Sequence, residues 1–359
     1  MRNVIYAGMI ALCSVAFAAC SDDDDKKTSN PDSPEISEGV FIINQGNMVN
    51  KIDGSLSYID LNTQQVSQDV FFKANNRKIG DTPQAAVVYG SKIYMGVYLS
   101  NTIEILDRKT LKVEKTISLT GAEGQNPRSL VAKDGNVYIS MYNGYVSRLD
   151  TLSLSIDKTV KVGPNPDIIA ILGNNLYVPN SDGMNWEVGY GTTASCIDLS
   201  TFTVIETFTV PLNPERFLSN GREIFLLAKG DYGMTVTSKV YKMNSDKSFT
   251  EIAEATHAAI WGNFLYYVNA PYMAPSFDYK VYDIKSETKH DMLKETPGAD
   301  VPAGMGVNPI TGNIYITLYT NGYNGYDLPG YCNEYDAQGN FVKKYTVGVC
   351  PEGIFFNYE

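Results

Sequence analysis

Histidine is scarce in this chain of 359 residues: His257 and His290 are the only two, which leaves general acid–base chemistry few candidates. His257 lies near the head of a strand and could touch a central funnel, while His290 falls in a polar outer turn. No Ser-His-Asp arrangement, phosphate-cradling Gly loop or calcium loop is visible. No spacing of His, Cys, Asp or Glu suits zinc, and Cys196 reads as part of a buried strand. Asp231 with Glu187 could serve glycoside hydrolysis, but acidic residues are too common here to single that pair out. Catalysis is therefore not expected, and no intrinsic cofactor or metal. What the chain offers is aromatic and amide surface. Four long segments carry it: 181–193 with Trp186 and Tyr190, 229–237 with Tyr232 and Met234, 270–279 with Tyr272, Met273 and Phe277, and 320–331 with Tyr323, Tyr326 and Tyr331. Tyr combines apolar area with a hydroxyl and loses little entropy when fixed, which suits recognition. The alternative is that these rings pack among themselves to hold long loops down.

A phrase returning about every forty-odd residues must position these segments. It runs from a Gly/Asn-x-Pro lead-in through an apolar run, a Gly/Asn turn and a Tyr-bearing strand to an Asp-terminated strand. Gly80-Asp81-Thr82-Pro83 precedes Lys92-Ile93-Tyr94, Gln125-Asn126-Pro127 precedes Asn136-Val137-Tyr138, and Pro164-Asn165-Pro166 precedes Asn175-Leu176-Tyr177. Weaker copies start at Asn213-Pro214, near Thr256, at Val301-Pro302 and at Cys350-Pro351. A short β unit cannot bury its own apolar face, so copies must pack together, and a β-propeller is the solution. The second unit reads as strands at 84–88, 92–97, 102–106 and 113–118, named A to D from the axis outward. The third reads as 129–132, 137–141, 145–149 and 155–161. The first unit has B at 39–43, C at 55–60 and D at 66–71 but no A strand, and Gly353-Ile354-Phe355-Phe356 should supply it, closing the ring without free edges. The expectation is an all-β, seven-bladed propeller of four-stranded antiparallel blades over residues 39–359; six blades is the alternative if the unit near Thr256 fails.

Strand direction places the D–A and B–C connections at one end of the ring. The Pro-bearing lead-ins are D–A connections, so they share a face with the aromatic B–C loops, where binding sites gather on rigid scaffolds. The expected ligand-binding set is Trp186, Tyr190, Tyr232, Tyr272, Phe277, Tyr323 and Tyr326, joined at the same mouth by Gln45, Asn47, Tyr98, Arg128 and Tyr142. Cys332 and Cys350 read as lying at one sheet end and are expected to form a disulfide across the ring closure, with two free thiols as the alternative.

The amino terminus has other work. Arg2 and the apolar run 5–17 form a signal segment, 1–19, that ends at Phe17-Ala18-Ala19-Cys20. Cys20 is expected to carry lipid, and residues 20–38, rich in Asp, Ser and Pro, to be a flexible tether. Net charge is −11. Such an acidic surface excludes nucleic acid as a partner and leaves the lipid as the sole expected link to a membrane.

The stretch Gly39-Val40-Phe41-Ile42-Ile43-Asn44-Gln45-Gly46-Asn47, then Gly54-Ser55-Leu56-Ser57-Tyr58 and Gly80-Asp81-Thr82-Pro83-Gln84, is similar to the N-terminal signature of YncE-like β-propeller surface lipoproteins of Bacteroidetes. Ser21-Asp22-Asp23-Asp24-Asp25 resembles the acidic tag that sends such lipoproteins to the outer leaflet of the outer membrane. The likeness extends over the mature chain and loosens in the later blades. It implies the fold above and, through the BtuG-type members, capture of a corrinoid such as cobalamin or cobinamide at the cell surface, with hand-off to a BtuB-type TonB-dependent transporter. Alternative functions are a propeller lactonase or glycan-active hydrolase, or a transporter-associated or adhesion lipoprotein with no small ligand.

Overall fold

Seven four-stranded antiparallel sheets are arranged as the blades of a propeller in the computed structural model, which describes residues 36–298 and 300–358. The signal segment, Cys20 and the tether up to residue 35 lie outside the described residues. Blade two comprises Pro83–Tyr89, Lys92–Val97, Thr102–Asp107 and Val113–Ser118; blade three comprises Pro127–Lys133, Asn136–Met141, Tyr145–Asp150 and Ser155–Lys161. Blade five begins at Pro214–Ser219 and Ile224–Ala228, blade six at His257–Trp261 and Phe264–Asn269, and blade seven at Pro302–Val307 and Ile314–Leu318. The unit near Thr256 is thus a full blade.

The ring closes as the sequence implies. Strand A of blade one is Pro351–Asn357, paired antiparallel with strand B, Gly39–Asn44, and Phe41 stacks on Phe355 at 4.8 Å between ring centroids. Each middle strand reads apolar and buried along its length because it is packed between neighbouring blades, while the outermost strands are half exposed.

Three local expectations are corrected. Strand D of blade one spans only Val66–Ser67, and the chain then turns into a short helix, α1 (Val70–Asn75), whose Val70, Phe71 and Ala74 fill the space beside blade two. The tether gives way to ordered chain before residue 38: Ile36 packs on the same core and donates its N–H to the Lys109 carbonyl at 2.6 Å. His290 lies on the outermost strand of blade six, Thr288–Asp291, rather than in a turn.

The Asp that ends strand C folds the turn after it. Asp107 accepts the backbone N–H groups of Lys109 (3.1 Å) and Thr110 (2.8 Å) and the Thr110 hydroxyl (2.8 Å). Asp60, Asp150, Asp198, Asp283 and Asp336 make equivalent turns. Burial pushes the Asp107 carboxyl up, but these donors outweigh it and hold it below the usual carboxylate range. A depressed native value means the stabilisation is complete above about pH 4 and is lost as pH falls through that value. Asp107→Ala should therefore cost about 1 kcal/mol in a urea titration at neutral pH, and nothing once the wild-type carboxylate is protonated.

Candidate functional site

One residue per blade builds the floor of an axial funnel, and a local irregularity aims it. In strand A of blade two, Pro83 pairs with Val97 and Ala85 with Gly96, leaving Gln84 outside the ladder. The same skip leaves out Arg128 in blade three, Glu215 in blade five, Ala303 in blade seven and Glu352 in blade one. A bulge of this kind bends the strand and re-aims the unpaired side chain, here towards the axis, where all five line a cavity of about 540 Å³. Blade four differs: its strand A starts at Ala170, and Asp167 comes before it, donating its N–H to Pro179. In blade six, which lacks the Pro, His257 takes the corresponding place.

The Asn of the lead-in has a conformational reason. Asn126, Asn165 and Asn213 sit at φ of 59°, 44° and 57°, the left-handed region that Asn tolerates better than most residues. Their carbonyls accept the N–H of the first residue after strand B: Tyr142 to Asn126 at 2.9 Å, Ser181 to Asn165 at 3.2 Å, Lys229 to Asn213 at 2.8 Å. Those post-strand residues form a second tier above the floor, which also contains Gln45, Tyr98 and Tyr319.

Electrostatics concentrate on the floor. Arg128 donates to Asp167 at 2.6 Å and lies over the Tyr142 ring, 5.9 Å from its centroid. Burial pushes the Asp167 carboxyl up to about 6 even with this partner, because Glu215 adds a second negative charge. Lys229 lies 3.3 Å from Glu215. Burial raises the Glu215 carboxyl, yet Lys229, Arg216 and Arg128 together bring it below its ordinary value. Glu352 has no cation within ion-pair distance among the described residues: its oxygens accept the Tyr319 hydroxyl at 2.6 Å and the Gln45 amide at 2.8 Å, and burial holds its carboxyl up. His257, its Nδ1 3.0 Å from the Thr256 hydroxyl, is pushed down to about 3 by burial and by Lys229, so it is neutral at physiological pH.

Around this floor the B–C loops form an apolar rim. Of the twenty large apolar side chains exposed among the described residues, thirteen lie on B–C loops, although the opposite end of the ring has as many turns. Trp186 is 68% exposed, Tyr272 72% and Met234 87%. Ring pairs tie the rim together: Tyr98 with Tyr142, Tyr190 with Tyr232, Tyr272 with Tyr323 and Tyr319 with Tyr326, all edge to face.

The sequence-expected residues thus divide. Gln45, Arg128 and Tyr232 line the cavity. Trp186, Tyr190, Tyr272, Tyr323 and Tyr326 stand on the rim, Tyr98 and Tyr142 between the two. Asn47 is engaged in holding loops, donating to the Tyr326 carbonyl at 3.0 Å and accepting from the Asn50 N–H. Tyr323 is similarly tied, accepting the Met273 N–H at 3.1 Å. Phe277 turns inward and packs on the core of blades six and seven, because the alternation that starts strand C in blade six reaches back to it. Sequence reading missed Gln84, Asp167, Glu215, Arg216, Lys229 and Glu352; for Gln84, Asp167, Glu215 and Glu352 the signal was a polar residue directly after the Pro.

The disulfide is overturned: both cysteines are free thiols. Strand C of blade seven begins at Pro329, so Cys332 sits in its middle, opposite Tyr345 and sealed among Val40, Ile42 and Ile59. Cys350 stays at the mouth, where its Sγ donates to the Tyr326 carbonyl at 3.1 Å. Asp231, half of the carboxylate pair considered for hydrolysis, is used by its own loop. It accepts the Thr235 hydroxyl and the N–H groups of Thr235 and Val236, which hold it down to about 2. No group of three His, Cys, Asp or Glu side chains among the described residues is placed to hold a metal.

A family model described as a domain of unknown function, DUF5074, matches residues 38–181, the part from blade one to the second strand of blade four. No curated protein sequence matches. Among solved structures, a Bacteroides fragilis protein provisionally named a 6-phosphogluconolactonase is 14% identical, covers 92% of this chain and 99% of its own, and has a TM-score of 0.62. Kuenenia stuttgartiensis hydrazine synthase is also 14% identical, with 76% and 88% covered and a TM-score of 0.59. A Bacteroides caccae protein of unknown function is 9% identical, with 91% and 100% covered and a TM-score of 0.51. At these identities the likeness is one of fold.

Proposed function

We propose that this is a binding protein of the outer-membrane surface, held there by lipid on Cys20, whose ligand lies across the mouth of the propeller. On this reading the ligand is a corrinoid, passed on to a BtuB-type TonB-dependent transporter. The gathering of exposed rings and methionines on one end of the ring carries the reading, since a soluble surface leaves so much apolar area in one place only where something is to be bound. A corrin is a wide, flat, amide-fringed macrocycle. Trp186, Tyr232 and Tyr272 would cover its faces, while Tyr98 and Tyr142 would meet its amides. The signature around Gly39–Asn47 supports the same class.

Calorimetry with cyanocobalamin and cobinamide tests it: binding is expected, and no heat at micromolar protein would overturn it. Replacing both Trp186 and Tyr272 by Ala should weaken binding about thirtyfold or more while leaving the unfolding midpoint unchanged, because both rings are exposed.

The neighbour with a lactonase name favours a second reading, a propeller hydrolase working in the funnel with Glu215 or Glu352 as the acid or base. Turnover of a lactone or glycan panel, lost in Glu352→Gln, would support it over capture.

A further inference from the structure

Two opposite charges on the funnel floor, one in blade five and one in blade one, make no direct ion pair among the described residues, although Arg216 is near enough to Glu215 and Asp167 to lower both carboxyls. Arg216, in strand A of blade five, makes no ion pair among the described residues, and its Nε is buried without a hydrogen-bond partner. Glu352, in strand A of blade one, is held only by the neutral donors Tyr319 and Gln45. The other charges form local pairs, Arg128 with Asp167 and Lys229 with Glu215. The cavity that both line also presents apolar side chains, Ile43, Ile168, Leu227, Ala303 and Ile354, among polar ones such as Gln84, Ser129 and Thr256.

Arg216 is half-buried and Glu352 faces the cavity; charges confined there without a counter-ion in contact are partly desolvated, and a ligand of opposite charge offsets that cost. A fixed cation and a fixed anion facing one cavity match a molecule that carries the opposite charges at its two ends. The space suits it: about 540 Å³ lies within the roughly 300–1,000 Å³ of small-molecule sites. Blade seven leaves room near Glu352 because its floor position is Ala303. The next residue, Gly304, approaches so closely that an added Cβ would lie 2.2 Å from the Glu352 carbonyl oxygen.

We propose that the funnel floor is a second binding site, distinct from the rim, for a small zwitterion whose anionic group meets Arg216, whose ammonium meets Glu352, and whose short apolar middle spans the cavity between them. This site does not depend on the nature of the rim ligand.

The test is calorimetry of the whole propeller with ω-amino acids of increasing length, from β-alanine to 8-aminooctanoate, with O-phosphoethanolamine as the phosphate arm. The matching n-alkanoates and n-alkylamines are controls. One chain length should bind best, at least about tenfold tighter than the alkanoate or the alkylamine of equal length. Arg216→Gln should remove the advantage over the alkylamine, and Glu352→Gln the advantage over the alkanoate. Phosphoethanolamine binding in place of the carboxylates would keep the zwitterion and assign phosphate as its anionic end. Equal binding of alkanoate and zwitterion, or no binding across both arms, would overturn the proposal. Should either variant fail to fold, competition on the wild type decides instead: the zwitterion must displace both controls, each of which shares one of its two charge contacts, and its affinity must fall as pH drops and Glu352 is protonated. A pH-independent affinity would count against it.

Discussion

A chain ended at Cys350 should not fold cooperatively. Losing Pro351–Asn357 strips strand Gly39–Asn44 of its inner partner along its whole length and removes the Phe41–Phe355 stack. It also deletes Ile354, Phe355 and Phe356 and so uncovers the interface residues they pack on, Val40, Phe41 and Ile42 among them. At about 1.5–3 kcal/mol for each large apolar side chain, that loss is comparable with the roughly 5–15 kcal/mol by which a whole domain is stable. It also leaves the inner edge of strand Gly39–Asn44 unpaired. A urea titration followed by circular dichroism should show a broad, non-cooperative change, and size-exclusion chromatography should show aggregates. A synthetic peptide of residues 351–358 added in excess should restore the transition. A truncated chain that unfolds sharply, as a monomer, would mean the remaining blades hold the ring unaided.

Arg128→Met should destabilise the protein by about 3–5 kcal/mol at neutral pH, the cost of leaving a buried carboxylate without its partner. Asp167 is almost fully buried, and Arg128 is its 2.6 Å partner. The pH dependence carries the sign. In the wild type the native Asp167 value is already raised to about 6, above the roughly 3.9 of an unfolded Asp. The native state therefore binds more protons than the unfolded chain between those values, and this group's contribution falls as pH rises from about 4 to about 6. Without Arg128 the native value rises further, so the deficit of the variant should widen with pH over a longer range and be small near pH 4. Asp167→Asn on top of Arg128→Met should recover much of the loss, and urea midpoints for the four proteins of that cycle measure the coupling. An additive double variant would show that the pair does not hold blades three and four together.

Much of the fold was legible because its causes are local and repeated. Asn126, Asn165 and Asn213 stand before Pro because the chain needs a left-handed turn there, and Asp60, Asp107 and Asp150 end their strands because the turn needs an acceptor. Each leaves a residue type in the sequence. Helix α1 was not legible, since the apolar pair Val70-Phe71 also suits the end of a strand and only the space beside blade two decides otherwise. For the site, the rim could be read from loop composition, and His257 and Arg128 from their places near a lead-in. Gln84, Glu215 and Glu352 could not be read by alternation, because a bulge breaks the period of two at the very residue that matters. Cys332 misled for the opposite reason: the ladder is regular through it, so it points into a packed interface rather than along the sheet end.

The bulge has a consequence for how such a ring can change over time. A residue outside the ladder contributes no hydrogen bond to its sheet, and its side chain enters open space rather than a packed interface. Gln84, Ala303 and Glu352 are therefore positions where chemistry and folding are largely uncoupled, whereas Arg128 is tied to blade four by Asp167 and Glu215 by the Ile168 N–H that its carbonyl accepts. The centre of the ring can be rewritten one letter at a time while the sheets around it stay as they are, so rings with the same outline can come to hold quite different molecules.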